Sequence, residues 1–317
     1  MKNRIAANHI REIEELKKKK NAIILAHYYQ TSDIQDIADF VGDSLTLSQK
    51  AAANNADIIL FAGVKFMAET AKILSPEKKV LLPDMNAGCS LADSCNPEEF
   101  KKFIALNPGR TVISYVNTTV DIKALSDIIC TSSNAVQIIN SFPEDEKFIF
   151  APDKNLGNYV KSLTSRDIVV YDGACHVHEE FSADKILKLK KENPEAKIIV
   201  HPECGLAVRS IADYIGSTSG LLNYIKKDKG NTYIIATEPG IIYQMKKACP
   251  DKKYIPAPPE DSTCRWKECN FMKLITVEKI LACLKEESTE IILDKKIIED
   301  AGKPIIKMMQ ISEKLGL

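Results

Sequence analysis

The chain has 317 residues, 45% of them hydrophobic, enough to bury one large core or the cores of two to three domains. Lysine plus arginine and aspartate plus glutamate both total 43, a balance that leaves no net charge to draw nucleic acid or an anionic membrane. No stretch approaches the roughly 18 uninterrupted apolar residues of a spanning helix, and the charged opening MKNRIAANHIREIEELKKKK lacks the apolar segment of a secretory signal, so a cytoplasmic location is expected.

That opening, residues 1–20, is predicted helix, with Ile5, Ile10, Ile13 and Leu16 on one face and lysines 17–20 at the C-terminal end, where cations are favoured. From residue 21 onward, short β-rich apolar runs alternate with helix-length segments, the pattern of a parallel sheet flanked by helices. Strands are predicted at 21–29, 56–63, 79–84, 110–117, 147–153, 167–173, 196–203, 232–238 and 252–257, which fall into three sets of three. Helices are predicted from Ala38 (ADFVGDSLTLSQ), Ser126 (SDIICTSSNAVQ) and Ala212 (ADYIGSTSGLLN). In each, an aspartate precedes a hydroxyl by five residues: Asp39 and Ser44, Asp127 and Ser132, Asp213 and Thr218. Those aspartates recur at intervals of 88 and 86, and each hydroxyl lies 17 residues beyond His27, Tyr115 or His201. The chain therefore reads as α/β: an N-terminal helix (1–20), three βαβαβ repeats (21–109, 110–195, 196–285) packed about a pseudo-three-fold axis, and a C-terminal helical extension (286–317).

Nine cysteines in a chain with no export signal argue against a disulfide framework. Cys283 and Cys249 read as packing residues. Cys89 and Cys175 follow the third strands of the first two repeats, and Cys264 or Cys269 follows that of the third. Ligands of open α/β sheets gather beyond the carboxyl ends of the strands, so three distant thiols would meet at the axis. Three thiolates with a vacant fourth position suit zinc with an open site or a [4Fe–4S] cluster with one exposed iron. The first strands end in matched polar pairs: His27 and Tyr29, Tyr115 and Asn117, His201 and Glu203. Strand alternation would put each pair on one face, and buried polar groups are costly unless paired or functional. His201 and Glu203 fit general acid/base work, and His27 and Tyr29 fit orientation or proton transfer. The turns GDSL, CTSSN and GSTSG read singly as helix caps and as a set as an anion site.

Taken together, LAHYYQ, GDSL, GVKFMAETAKIL, NAGCSLAD, SYVNT, CTSSNA, CHVH, HPEC, GSTSG and CNFMKL, in this order over most of the chain, resemble the quinolinate synthase family. The resemblance implies three αβα domains about a pseudo-three-fold axis. It implies condensation of iminoaspartate with dihydroxyacetone phosphate to quinolinate, phosphate and water in de novo NAD biosynthesis, and transient contact with the enzyme that supplies iminoaspartate. It also implies one [4Fe–4S] cluster on Cys89, Cys175 and Cys269. Repeat spacing alone prefers Cys264, 63 residues after His201, over Cys269 at 68; the family motif favours Cys269, with Asn270 where proline is common. Carried over by motif, His27, Ser44, Tyr115, Asn117, Ser132, His178, Ser217 and Thr218 bind substrate, and Tyr29, His201 and Glu203 are catalytic. Lys65, Met67 and Glu69 would support the pocket, Glu69 foremost. An electron-transfer protein and a zinc lyase are the rival classes; the sequence lacks the cysteine run of a ferredoxin.

Overall fold

The computed structural model describes the backbone of residues 2–260 and 268–317, and side chains from residue 8 onward within those spans. Cys264 and the side chain of Ile5 lie outside the described residues. Twelve strands are described, in three parallel sheets of four. The first sheet holds β1 (Ala22–His27), β2 (Phe40–Gly42), β3 (Ile58–Ala62) and β4 (Lys79–Leu81). The second holds β5 (Thr111–Tyr115), β6 (Ile128–Cys130), β7 (Phe148–Ala151) and β8 (Ile168–Val170). The third holds β9 (Lys197–Val200), β10 (Tyr214–Ile215), β11 (Thr232–Ala236) and β12 (Lys253–Pro256). All three share one order: β2-β1-β3-β4, β6-β5-β7-β8 and β10-β9-β11-β12. The central strands are apolar on both faces because helices cover both. Ile24, Leu25, Ile59 and Leu60 are fully buried, each contributing about 1.5–3 kcal/mol.

Periodicity predicts nine strands, and the three it misses correct the helix assignments. β2, β6 and β10 open the segments expected to be helical from Ala38, Ser126 and Ala212; helix begins only at Ser44, Ala135 and Thr218. The cause is a latch. Asp39 accepts the Ile24 N–H at 2.7 Å, Asp127 the Val112 N–H at 2.8 Å, and Asp213 the Ile198 N–H at 2.8 Å. Each aspartate also donates its own N–H to that same residue's carbonyl. Held at both groups, the chain starts an edge strand beside the first strand of its unit before a helix can nucleate. The spacing recognised in the sequence is thus a backbone device as well as a route to the hydroxyls.

The helix Lys2–Lys19 buries Ile13 completely, with Ile10 and Leu16 half-buried beside it. Lys17, expected merely to favour the helix end, is buried and reaches Asp39 Oδ1 at 3.0 Å and the Ile37 carbonyl at 3.1 Å. The helix Pro97–Ala105 sets Phe100 among Val112, Ile122 and Ile149 of the second unit. After the helix Val277–Glu286 the chain returns to the first sheet, where Leu82 donates to the Thr289 carbonyl and Ile291 to that of Val80. The closing helix Lys295–Lys314 bridges the first two units, and Asn134 Nδ2 donates to its buried Ser312 at 3.0 Å. No helix among the described residues is long and apolar enough to cross a membrane.

Candidate active site

The carboxyl ends of the three sheets face one cavity. The first unit lines it with His27, Tyr29 and Ser44, the second with Tyr115, Asn117, Ser132 and His178, and the third with His201, Glu203 and Thr218. Cys89, Cys175 and Cys269 line it too. Ser217 does not: its hydroxyl caps the helix Thr218–Lys227, accepting the Gly220 N–H at 3.1 Å, and meets Ser133 Oγ at 2.8 Å. Ser133 in turn donates to Asp43 at 2.6 Å, so this chain of contacts ties all three units together.

The cysteines share one local geometry. Each precedes a helical turn and accepts, at its carbonyl, the N–H four residues on: Asp93 to Cys89 at 2.9 Å, Glu179 to Cys175 at 3.0 Å, Lys273 to Cys269 at 3.1 Å. The intervening N–H groups therefore face the sulfurs, as a helix start does. The turns touch one another: Ser90 Oγ lies 2.6 Å from His176 Nδ1, and the His176 ring meets Phe271 edge-on at 6.2 Å. Burial, against the backbone N–H groups of the turns, pushes the thiols up, Cys89 to about 12 with the Glu203 charge acting in the same direction and Cys269 to about 11 with that of Glu238. Burial does the same to Cys175, with Glu203 adding to it. Thiols so resistant to ionisation become thiolates when a metal centre takes the proton's place. No other cysteine lines the cavity among the described residues. Three soft donors on three packed turns fit a three-cysteine [4Fe–4S] anchor.

A tighter trio, Cys175, His178 and Glu203, brings its donor atoms within 4.8 Å of one another. There His178 and Glu203 already hold each other: Nδ1 is 2.8 Å from Glu203 Oε2. Tyr115 donates to the other carboxylate oxygen at 2.5 Å. We read this trio as a hydrogen-bond network. Thiolates arrayed around an iron–sulfur cube stand farther apart than donors on a single ion.

The matched pairs of the same cavity come together by turns rather than by strand alternation. β1 ends at His27 and β9 at Val200, and the chain then bends so that Tyr29 N–H meets His27 Nδ1 at 3.2 Å and Glu203 N–H meets His201 Nδ1 at 3.3 Å. An Nδ1 that accepts leaves the proton on Nε2. Burial lowers His27 to about 4 and His201 to about 3, so both stay neutral Nε2–H donors at neutral pH. Burial raises Tyr29 and Tyr115 well above the usual phenol range, and the Glu203 charge adds to both. For Glu203 itself burial opposes ionisation, yet His178, His201 and the hydrogen bonds from His178 and Tyr115 prevail and depress it. Asn117 Oδ1 is buried and unpartnered among the described residues, an acceptor left over at the cavity wall.

Several residues of the site carried no signal of their own. Asp43 lines the cavity as the cap of the helix Ser44–Ala52, accepting the Thr46 N–H at 3.0 Å, so one of the three expected anion-binding turns already holds a carboxylate. Glu238, at the end of the run TYIIATE, lines the cavity fully buried, 2.8 Å from Lys273 Nζ. Burial lifts it to about 7 against the pull of Lys273. Its place in that run, an acid closing a buried strand, was the available clue. Thr237 stands behind Tyr29 at 2.6 Å. Lys273 also donates to the Tyr29 carbonyl at 2.5 Å, and a Cβ on Gly240 would come 2.8 Å from Tyr29 Cα, so the Tyr29 turn is clasped by the third unit. Of the trio expected to support the pocket, Met67 reaches it; Glu69 is buried but outside the lining, and Lys65 reaches Glu69 only at 3.9 Å.

The family model described as quinolinate synthetase A protein matches residues 11–310. Among curated relatives, the quinolinate synthase of Microcystis aeruginosa is 57% identical over 300 residues, 95% of this chain and 94% of that protein. The quinolinate synthase of Rippkaea orientalis is 58% identical over 300 residues, covering 95% and 92%. That of Trichodesmium erythraeum is 55% identical over 310 residues, covering 98% and 96%. With a match this long joined to a cavity built from three repeated units, the chain belongs to the quinolinate synthetase A family.

Proposed function

We propose that this enzyme condenses iminoaspartate with dihydroxyacetone phosphate to give quinolinate, phosphate and water in cytoplasmic NAD biosynthesis, with one [4Fe–4S] cluster on Cys89, Cys175 and Cys269. One observation carries the reading: three cysteine turns, one following each sheet, line the same cavity as the His–Tyr–Glu array. When bound, a cluster so held supplies a Lewis-acidic iron that no protein donor fills.

The remaining work falls to the chain's own side chains. No lysine or arginine lines the cavity among the described residues. Carboxylates and phosphate are therefore met by neutral donors: the hydroxyls of Ser44, Ser132 and Thr218, the Asn117 amide, and the Nε2–H groups of His27 and His201. Neutral donors orient an anion without holding the departing phosphate as a fixed cation would. Glu203, kept ionised by Tyr115 and His178, removes substrate protons, and Tyr29, which lines the same cavity, is the second proton-handling group. His201 serves this scheme as a donor to developing negative charge. The test is anaerobic: protein loaded with iron and sulfide is given iminoaspartate and dihydroxyacetone phosphate, and quinolinate is measured. Quinolinate formation with about four irons per chain is the expected result. Fully loaded protein that forms none, or a colourless protein that binds zinc instead, would overturn the reading.

A further inference from the structure

We infer that the contact between Ser90 and His176 is a clasp that sets the spacing of the first two cysteine turns. Both side chains act through Cys89 and Cys175, so they are positioning residues. That a cluster is what the clasp retains rests on the reading proposed above; the contact between the turns does not.

The two turns belong to different units, and the backbone that folds each of them does nothing to fix the distance between them. Ser90 and His176 each follow their cysteine directly. They stand 86 residues apart in sequence and meet at 2.6 Å between Oγ and Nδ1. Among the described residues this is the one hydrogen bond that runs from one cysteine turn to another. It is half-buried, and both residues line the cavity. The rest of the junction is close packing. A Cβ on Gly173, just before the second turn, would stand 2.5 Å from Ser94 Oγ and 2.6 Å from the Pro152 carbonyl oxygen. Ser94 Oγ donates to the Leu91 carbonyl at 2.7 Å, so the end of the first turn lies directly against that glycine. On the other side, a Cβ on Gly88 would stand 3.6 Å from the Phe271 ring of the third turn, the ring that meets His176 edge-on.

Packing limits how near the turns can come, but it holds them together only weakly once they begin to part. Dispersion has no preferred direction and fades within an ångström, whereas a hydrogen bond fixes both a distance and an angle. The directional tie between the turns therefore falls one residue beyond two of the three sulfurs. The third turn is held differently. Asn270, at the matching place after Cys269, is exposed, and that turn is anchored by Lys273 to Glu238 and to the Tyr29 carbonyl. Neighbours that orient the ligands of a metal centre decide how firmly it is gripped. The clasp thus spaces Cys89 and Cys175 before any metal arrives and resists their separation afterwards. Because the serine hydroxyl can give or accept, either tautomer of His176 preserves it.

The test compares Ser90→Ala, His176→Phe, which keeps a ring against Phe271, and the two combined. A fourth variant, His176→Asn, can place a polar atom where Nδ1 stands. Anaerobically loaded holoenzymes are given an excess of iron chelator, and the loss of visible absorbance is timed. Each single variant should release iron about tenfold faster than the parent, the double variant no faster than either single, and His176→Asn should recover to within about threefold. The iron-free full-length chain is read in parallel with iodoacetamide and peptide mapping. Labelling should speed up at Cys89 and Cys175 in the clasp variants but not at Cys269, with the melting temperature near the parent's. A role in fold stability alone would instead lower that temperature and expose all three thiols alike. Single variants that release iron and label at the parental rate, or effects that multiply in the double variant, would overturn the inference. A parent that shows the labelling pattern yet assembles no cluster would overturn the cluster reading and leave the clasp standing.

Discussion

The two ends of each unit's first strand behave oppositely. Alongside the strand, Asp39, Asp127 and Asp213 make the same two-way latch to Ile24, Val112 and Ile198, with distances that agree to a tenth of an ångström. At the carboxyl end the three units carry His27, Tyr115 and His201, and one residue beyond the partner strand they carry Gly63, Pro152 and Thr237. Backbone pairing makes the same demand in every repeat, so the residue that meets it is the same. The cavity is asked to hold substrates with no three-fold symmetry, so the residues that line it differ. A latch variant should therefore lose stability with its chemistry intact, and an end variant the reverse.

The largest break would come from the cysteines. Cys89→Ser, Cys175→Ser and Cys269→Ser should each abolish cluster assembly and activity, seen as loss of iron and visible absorbance. Cys283→Ser, at a buried residue hydrogen-bonded to Thr289, should keep both. Full iron in Cys269→Ser would pass the ligand role to Cys264. Next is Glu203→Gln, which keeps the shape but removes the charge and leaves a single amide oxygen to accept where the carboxylate meets both Tyr115 and His178. It should lower kcat by about 10²–10³-fold with iron content and melting temperature near the parent's; parental turnover would remove Glu203 from proton transfer.

A pH series sharpens the contrast on the stability side. Burial holds His27 and His201 neutral down to about 4 and about 3, whereas the unfolded chain protonates them near 6.5. Below pH 6.5 the unfolded state binds more protons. Stability is therefore full above that value and drains as pH falls toward 4, by about 2 kcal/mol for each ring at pH 5. Urea titrations at pH 7 and pH 5 would show it, and His201→Asn should remove about half of the slope. The smallest effects are at the latches. Asp127→Ala and Asp213→Ala should each cost about 1–2 kcal/mol by leaving an N–H unpaired, and Asp39→Ala more, because the buried Lys17 loses one of its two carboxylate partners and keeps only Glu14. Loaded Asp127→Ala protein should turn over at the parental rate; a large loss of kcat there would erase the distinction between the two ends.

Much of the fold is written locally. The apolar runs, the recurring aspartates and the hydroxyls that follow them give three α/β units before any coordinate is known, because parallel strands buried on both faces must be apolar and repeats must repeat their punctuation. The edge strands β2, β6 and β10 escaped because two to three residues carry no periodicity. What creates them is a side chain bonding to a strand 15 residues earlier. Most of the cavity lining was legible for a similar reason: His, Tyr and Glu at strand ends, and thiols in the loops after third strands, are residue types that need a partner or a task. Ser217 was over-read, since a cap and a lining hydroxyl look alike in one dimension.

The sequence by itself thus determined which residues could do chemistry and that three units would carry them, since composition, strand pattern and repeat spacing are properties of the chain in one dimension. Only the tertiary structure decided how they act together. The cysteine turns touch through Ser90, His176 and Phe271, Glu203 is held by two residues of another unit, and Thr237 lies between Tyr29 and His178. Hydrogen-bond direction depends on which lone pairs and protons face each other across those junctions. Residues dozens to hundreds of positions apart acquire that relation only when the units close on a common cavity.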